Sequence, residues 1–429
     1  MSISGWFTER LSLDRFKTKY LSKPFPVHIT FFLGEIALFC FLVLVVTGLY
    51  LALFYEPSTE SVRGAGASAL PAAYVSVAFI DSNPLGALVR RMHHWAAHLM
   101  IAAIVLHLLR VFFTASYRKP RELNWVLGLV LLGGTIGASF AGYLLPYDQF
   151  SVTATAIGYG IARSVPWIGG TAADFLFAGR FPSPSTVPRF FAYHVVYAPI
   201  IMSALIALHL LILLKQKHTE PALRRGVSAA GPEASEDGGG RWISGIPAWP
   251  QQLVLMSVLF LLVLAAAATL SAFLPVHPSE YYGPPGPATP EVKPDWYLLW
   301  VYGALKLIPG DLSFRVLGAT IGSEAIGAML VPGVISLAIV LVPWLDRAPS
   351  SLYYVEDPLG SPGRLASGLA ALTLFAALSL AGFSAELGLS VPTLWVITVL
   401  APLGVGWGTY SLAAQRRRTS NPHAPGRTG

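Results

Sequence analysis

Two apolar stretches, VRRMHHWAAHLMIAAIVLHLLRVFF and RFFAYHVVYAPIIMSALIALHLLILLK, each hold a pair of histidines at helical spacing. His93 and His107 are fourteen residues apart, His194 and His209 fifteen. At about 100° per residue, either interval returns a side chain to nearly the same helix face and separates two levels by about 21 Å along the axis. On neighbouring helices the four imidazoles make two stacked pairs, each able to clamp a flat metal macrocycle from both faces. A lone histidine facing a bundle is usually hydrogen-bonded structure, whereas four in two periodic pairs predict bis-histidine haem. Imidazole is a standard axial ligand of haem iron.

Glycines repeat the same period. Gly34 and Gly48 are fourteen apart, as are Gly128 and Gly142. Glycines let a flat group approach a helix closely at two depths, although small residues also serve ordinary helix packing in membranes. His94 and His98 lie about 100° and 140° off the His93 face, which suits polar-interior residues rather than ligands. Arg90 precedes His93 by three and Arg110 follows His107 by three, so each shares roughly its histidine's face. There they can pair with haem propionates through charge-assisted bonds; the alternative is snorkelling at the membrane ends. Far along the chain, Pro294-Asp295-Trp296-Tyr297 sets a carboxylate in an aromatic, Pro-bounded segment, a candidate proton acceptor.

These residues need helices to hold them. The chain has 429 residues, 54% hydrophobic and only 12% charged, against roughly 25% charged in soluble proteins. Apolar runs near 31–54, 88–113, 125–146, 190–214, 252–274, 324–344, 365–385 and 391–412 are each long enough to span a bilayer, which takes roughly 20 residues. The expected fold is an all-α integral membrane protein of eight transmembrane helices, the first four forming a di-haem four-helix bundle. No cleavable signal pattern precedes the first span. The segments on the side of both termini carry 19 Lys and Arg, the opposite loops 7, so both termini are expected in the cytoplasm. The net charge of +7 is thereby accounted for by topology and anionic lipid, with no nucleic-acid partner implied.

The chain divides into an amphipathic cytoplasmic segment (1–30), the four-helix histidine unit (31–215), a polar Gly-rich linker (216–250), a four-helix unit carrying the Pro-Asp-Trp-Tyr loop (251–412) and a basic tail (413–429). Residues 146–189 are too apolar for disorder and too interrupted to span, which predicts short helices at the outer surface. With spans two and four both running inward, His93 pairs with His194 at the outer level and His107 with His209 at the inner level. Cys40, the only cysteine, excludes an intramolecular disulfide or a cysteine-rich zinc site.

The flanked histidine ladder, RMHHW…HLLRVFF and RFFAYH…HLLILLKQ, resembles cytochrome b of the quinol-oxidising cytochrome bc complexes, as do YRKPRELNW, GYLLPYDQ and PDWY. The resemblance covers nearly the whole chain. The interval of fifteen is similar to the chloroplast and Gram-positive branch, with the later half resembling that branch's separate second subunit, here fused. The resemblance implies a low-potential haem b on His93 and His194 and a high-potential haem b on His107 and His209. It implies an outer quinol-oxidation site at Pro294, Asp295, Trp296 and Tyr297, where the family more often has Glu than Asp. An inner quinone-reduction site would lie near Lys215 and His218. Some relatives tie an extra haem to a cysteine that in this chain is Phe32; Cys40 lies eight residues further on, so no covalent haem is expected.

The implied activity is that of a quinol:cytochrome c oxidoreductase subunit in a bacterial cytoplasmic membrane, within a dimeric complex. Quinol, expected to be menaquinol, is oxidised outside. One electron goes to a Rieske iron–sulfur partner and onward to a c-type cytochrome, and the other crosses through the two haems. A two-haem anchor of a membrane dehydrogenase needs the ladder but not the later helices or the PDWY segment. A transporter with a histidine proton relay needs no haem.

Overall fold

The computed structural model describes residues 10, 24–26, 29–63, 69–216, 219, 234–237, 241–275, 282–286, 292–346 and 356–420. Most of the expected amphipathic segment (1–30), most of the linker (216–250), His218 and the end of the basic tail lie outside the described residues. Two described parts of the linker, β2 (Ala234–Asp237) and β3 (Arg241–Pro247), pair antiparallel, and β3 also pairs with β1 (Pro24–Pro26).

In hydrocarbon every backbone N–H and C=O must be satisfied within the chain, which makes long apolar runs helical. Seven helices among the described residues are long and apolar enough to cross a membrane. They are α1 (Leu33–Ala52), α3 (Pro84–Phe113), α4 (Glu122–Tyr143), α7 (Thr186–Gln216), α8 (Ala248–Phe273), α11 (Pro362–Ala381) and α12 (Val391–Ser420). Between them lie α2 (Ala72–Ser82), α5 (Gln149–Arg163), α6 (Gly169–Phe177), α9 (Trp296–Leu307) and α10 (Ala325–Val340). The long helices account for seven of the eight expected spans. The run at 324–344 forms the short α10, then a separate four-residue helix, Val342–Leu345. Pro343 explains the break, since it lacks the N–H that would bond Ile339 and its ring crowds that carbonyl.

Helix α3 shows how the ladder is started. Asn83 caps it, its side chain accepting from the N–H groups of Leu85 and Gly86, and Pro84 occupies the first helical position. Helix α1 lies against α3, α4 against α7, and α8 against both α1 and α3. Their shared core holds Cys40, Met100, Ala103, Leu131, Met202 and Val263. Met100 and Met202 fall midway between the histidines of their helices, so this layer separates the two levels. A second core, with Leu144, Tyr147, Tyr159, Phe177 and Phe190, binds α5 and α6 over one end of the bundle, so 146–189 does form short helices. Outward faces carry exposed apolar residues such as Val46, Leu214, Leu261 and Leu403, as expected of helices solvated by lipid.

At the opposite end, an ion-pair network joins the two halves of the chain. Arg118, between α3 and α4, holds Asp346 at 2.7 Å and also pairs with Glu356. Arg364, only 5% exposed, bonds Glu356 at 2.6 Å and the Phe113 carbonyl at the end of α3 at 3.2 Å. Tyr117 donates to Asp346 at 2.7 Å, and burial beside that carboxylate pushes its phenol well above the ordinary range, so it remains a donor. Removing one partner of a buried pair strands the others. Arg364→Leu is expected to destabilise the protein by about 3 kcal/mol, measured as earlier thermal unfolding in detergent.

Candidate functional site

Helices α3 and α7 bring His93 and His194 together, with ring centroids 5.9 Å apart and ring planes 70° apart. Each Nδ1 is tied down. His194 Nδ1 lies 2.8 Å from the Ala138 carbonyl, an acceptor only, so Nδ1 carries the proton. His93 Nδ1 lies 2.9 Å from Thr47 Oγ1, whose hydroxyl is already donated to the Val43 carbonyl at 2.6 Å, so this Nδ1 also donates. In a neutral imidazole, a protonated Nδ1 leaves Nε2 as a bare lone pair, the form that binds metal. Two Nε2 donors on facing helices suit a metal clamped from both sides.

The unequal intervals have a local cause. Residues Ala192–Tyr197, containing His194, form a π-helical turn inside α7. Such a turn takes up one extra residue within an α-helix and is often found at functional sites. The fifteenth residue between His194 and His209 is absorbed there, so both histidines still address the neighbouring helices.

All four glycines face the histidines. A Cβ on Gly48 would come within 3.1 Å of His93 Cε1, and one on Gly142 within 2.7 Å of His194 Cε1. At the other level, a Cβ on Gly34 would lie 3.6 Å from His107 Cε1 and one on Gly128 3.7 Å from His209 Cε1. Helices α1 and α4 therefore present one glycine to each histidine, level by level. His209 buries Nδ1 with no hydrogen-bond partner among the described residues. Arg110 sits 4.2 Å over the Phe31 ring and buries Nε and Nη2 without partners among them.

A cavity of about 310 Å³ joins His93 and His194 to Tyr143, Asp295 and Tyr297. Asp295 stands just before α9, and Tyr297 in its first turn donates to Asp295 Oδ2 at 3.1 Å. Ser139 Oγ lies 2.5 Å from the Tyr297 hydroxyl. Burial, reinforced by the Asp295 charge, pushes the Tyr297 phenol well above its ordinary value, so it stays neutral and donating. His98 Nε2 reaches to 3.5 Å from Asp295 Oδ2 and 2.7 Å from His94 Nε2. The sequence pattern missed this last group. His98 points away from the His93 face, and only the docking of α9 on α3 shows what it points at. Thr47 was missed too, although its place beside Gly48 was a usable signal.

Of the other sequence-derived residues, Arg90 lines the cavity and pairs with Asp81 at 3.1 Å. Pro294 and Trp296 flank Asp295. Lys215 is exposed at the end of α7, and His218 is outside the described residues.

The family model for cytochrome b (N-terminal)/b6/petB matches residues 98–284, and that for cytochrome b (C-terminal)/b6/petD matches 285–379. The cytochrome bc1 complex cytochrome b subunit of Streptomyces coelicolor is 31% identical over 393 residues, covering 89% of this chain and 70% of that protein. The chain belongs to the cytochrome b family. Similar relatives of the same name occur in Corynebacterium efficiens (32%; 85% of this chain, 67% of the relative) and Mycobacterium tuberculosis (32%; 85% and 67%). A chain of a hyperthermophilic respiratory complex III shares the fold, with a TM-score of 0.67 at 21% identity, covering 95% of this chain and 100% of that one.

Family membership implies haem b, and the residues present fit it. Two Nε2 donors with fixed tautomers face each other, glycines make room beside every ring, and Arg110 buries donors that a propionate carboxylate would satisfy.

Proposed function

We propose that this chain is the cytochrome b subunit of a bacterial cytochrome bc complex, oxidising quinol at one face of the membrane and reducing quinone at the other. The observation that carries this reading is the continuous cavity from the His93–His194 pair to Asp295 and Tyr297. A dehydrogenase anchor has no use for such a carboxylate beside the ladder. His93 and His194 hold one haem b and His107 and His209 a second, both non-covalent. Bound haem would supply one-electron transfer between the two faces.

Arg90, which lines the cavity, and Arg110, with its buried guanidinium nitrogens, would offset propionate charge. At the Asp295 end, the quinol hydroxyl meets the carboxylate. That O–H bond breaks as its proton moves to Asp295 and the second hydroxyl gives its proton to the outside, while the two electrons leave singly, one to an external iron–sulfur acceptor and one that bound haem would carry across the ladder. Tyr297, kept neutral, holds the carboxylate by a donated hydrogen bond. Pro294 and Trp296 flank the quinol there. Lys215 and His218 are assigned to the inner quinone site by position alone. The low density of Lys and Arg in the loops at the Asp295 end supports placing that end outside the cytoplasmic membrane, with both termini inside. A Rieske iron–sulfur protein and a c-type cytochrome are the partners this chemistry needs, since the chain has too few cysteines for a cluster of its own. The bc1 names of the relatives support a multi-subunit assembly, in our reading a dimer. Asp in place of the family's commoner Glu favours menaquinone.

The test is Asp295→Asn in the assembled complex. Quinol oxidation is expected to fall by about a hundredfold, with both haem components intact in the reduced-minus-oxidised spectrum. Loss of haem in this variant would show that Asp295 serves the ladder instead. Titration with menaquinol against ubiquinol analogues assigns the quinone.

A further inference from the structure

Resting on the quinol-oxidation reading, we propose that His98 is a positioning residue: it orients the Asp295 carboxylate to accept the quinol proton, and Trp296 fixes the tautomer of His98. Both side chains are largely withdrawn from solvent, His98 being 15% exposed and Asp295 11%. Trp296 Nε1 lies 3.2 Å from His98 Nδ1. An indole N–H can only donate, so Nδ1 must be the acceptor, and the one proton of the neutral ring sits on Nε2. That N–H lies between His94 Nε2 at 2.7 Å and Asp295 Oδ2 at 3.5 Å. At 3.5 Å the contact with the carboxylate is a charge–dipole attraction rather than a short hydrogen bond, and it strengthens in a cavity shielded from water.

The same geometry argues against His98 being the base. A second proton on the ring would sit on Nδ1 and face the indole N–H, two donors pointed at each other. His98 therefore stays neutral and Asp295 remains the acceptor. Tyr297 donates to the same oxygen, Oδ2, at 3.1 Å. The Tyr297 hydrogen bond from α9 and the His98 ring dipole from α3 thus meet at Oδ2 and set the rotation of the carboxylate, with Oδ1 the oxygen that neither engages. Among the described residues, the titratable groups facing Asp295 are His98 and His94 from α3, Tyr143 from α4, and Tyr297 from its own helix.

The experiment compares pH–rate profiles of quinol oxidation for the intact complex carrying wild-type chain, His98→Ala, His98→Gln and Asp295→Asn. Losing the charge–dipole attraction of the ring makes the carboxylate easier to protonate. His98→Ala should therefore shift the acid limb up by about one pH unit and lower kcat about tenfold, with KM and both haem spectra unchanged. His98→Gln, whose amide N–H stands where Nε2–H stood, should restore the wild-type profile. If His98→Ala keeps the wild-type profile, or His98→Gln behaves like His98→Ala, the positioning role is overturned. Loss of the haem on His93 and His194 in His98→Ala would overturn it as well, because His98 would then act through the ladder. If Asp295→Asn itself oxidises quinol normally, the failure lies with the site reading and not with His98 alone.

Discussion

Replacing His107 or His209 by Leu is expected to abolish the same b-type component of the reduced-minus-oxidised spectrum, and replacing His93 or His194 the other. The argument is geometric. His93 and His194 already stand with ring centroids 5.9 Å apart, and fourteen residues of helix put His107 about 21 Å further along the axis. No ligand exchange between levels can rescue a lost histidine over that distance. Each single variant should therefore lose one haem entirely, and turnover through the ladder should become undetectable. The spectrum distinguishes the pairing directly, because the double variant His107→Leu with His209→Leu must look like either single one. A different grouping of losses, such as His93 with His209, would break the two-level arrangement.

Much of this site was legible from spacing alone. Four histidines and four glycines at one period are a one-dimensional record of two levels on neighbouring helices, and the folded glycines face the histidines level by level. What spacing could not show depends on contacts between distant parts of the chain or on backbone irregularity. The interval of fifteen looked equivalent to fourteen, and its real accommodation is the π-helical turn around His194. The run at 324–344 had the apolar length of a span, but Pro343 ends the helix before that length is used. His98 is the clearest case: its helical angle excludes it from the ladder and says nothing of Trp296 and Asp295, nearly two hundred residues away. Arg118, Asp346, Glu356 and Arg364 likewise follow no period in the sequence, and only the meeting of the chain ends near α3, α10 and α11 joins them.

Glycine-to-alanine substitutions should then separate the two levels in a graded way. A methyl group on Gly142 would sit 2.7 Å from His194 Cε1, closer than carbon atoms tolerate, and Gly142 lies on α4 where the backbone is held by its own hydrogen bonds. The ring cannot swing aside freely either, because Nδ1 is bonded to the Ala138 carbonyl of the same helix. Gly142→Ala is therefore expected to lose the haem held by His93 and His194. Gly48→Ala, at 3.1 Å from His93 Cε1, forces a shift of a few tenths of an ångström and strains the contact with Thr47, so it should weaken that haem without removing it. Gly34→Ala and Gly128→Ala, at 3.6 and 3.7 Å, place the methyl at ordinary van der Waals separation and should retain the haem of His107 and His209. Haem content of the four purified variants, measured per chain, tests the order. If Gly34→Ala or Gly128→Ala loses haem while Gly142→Ala keeps it, then the glycines are spaced for helix packing and not for the rings they face.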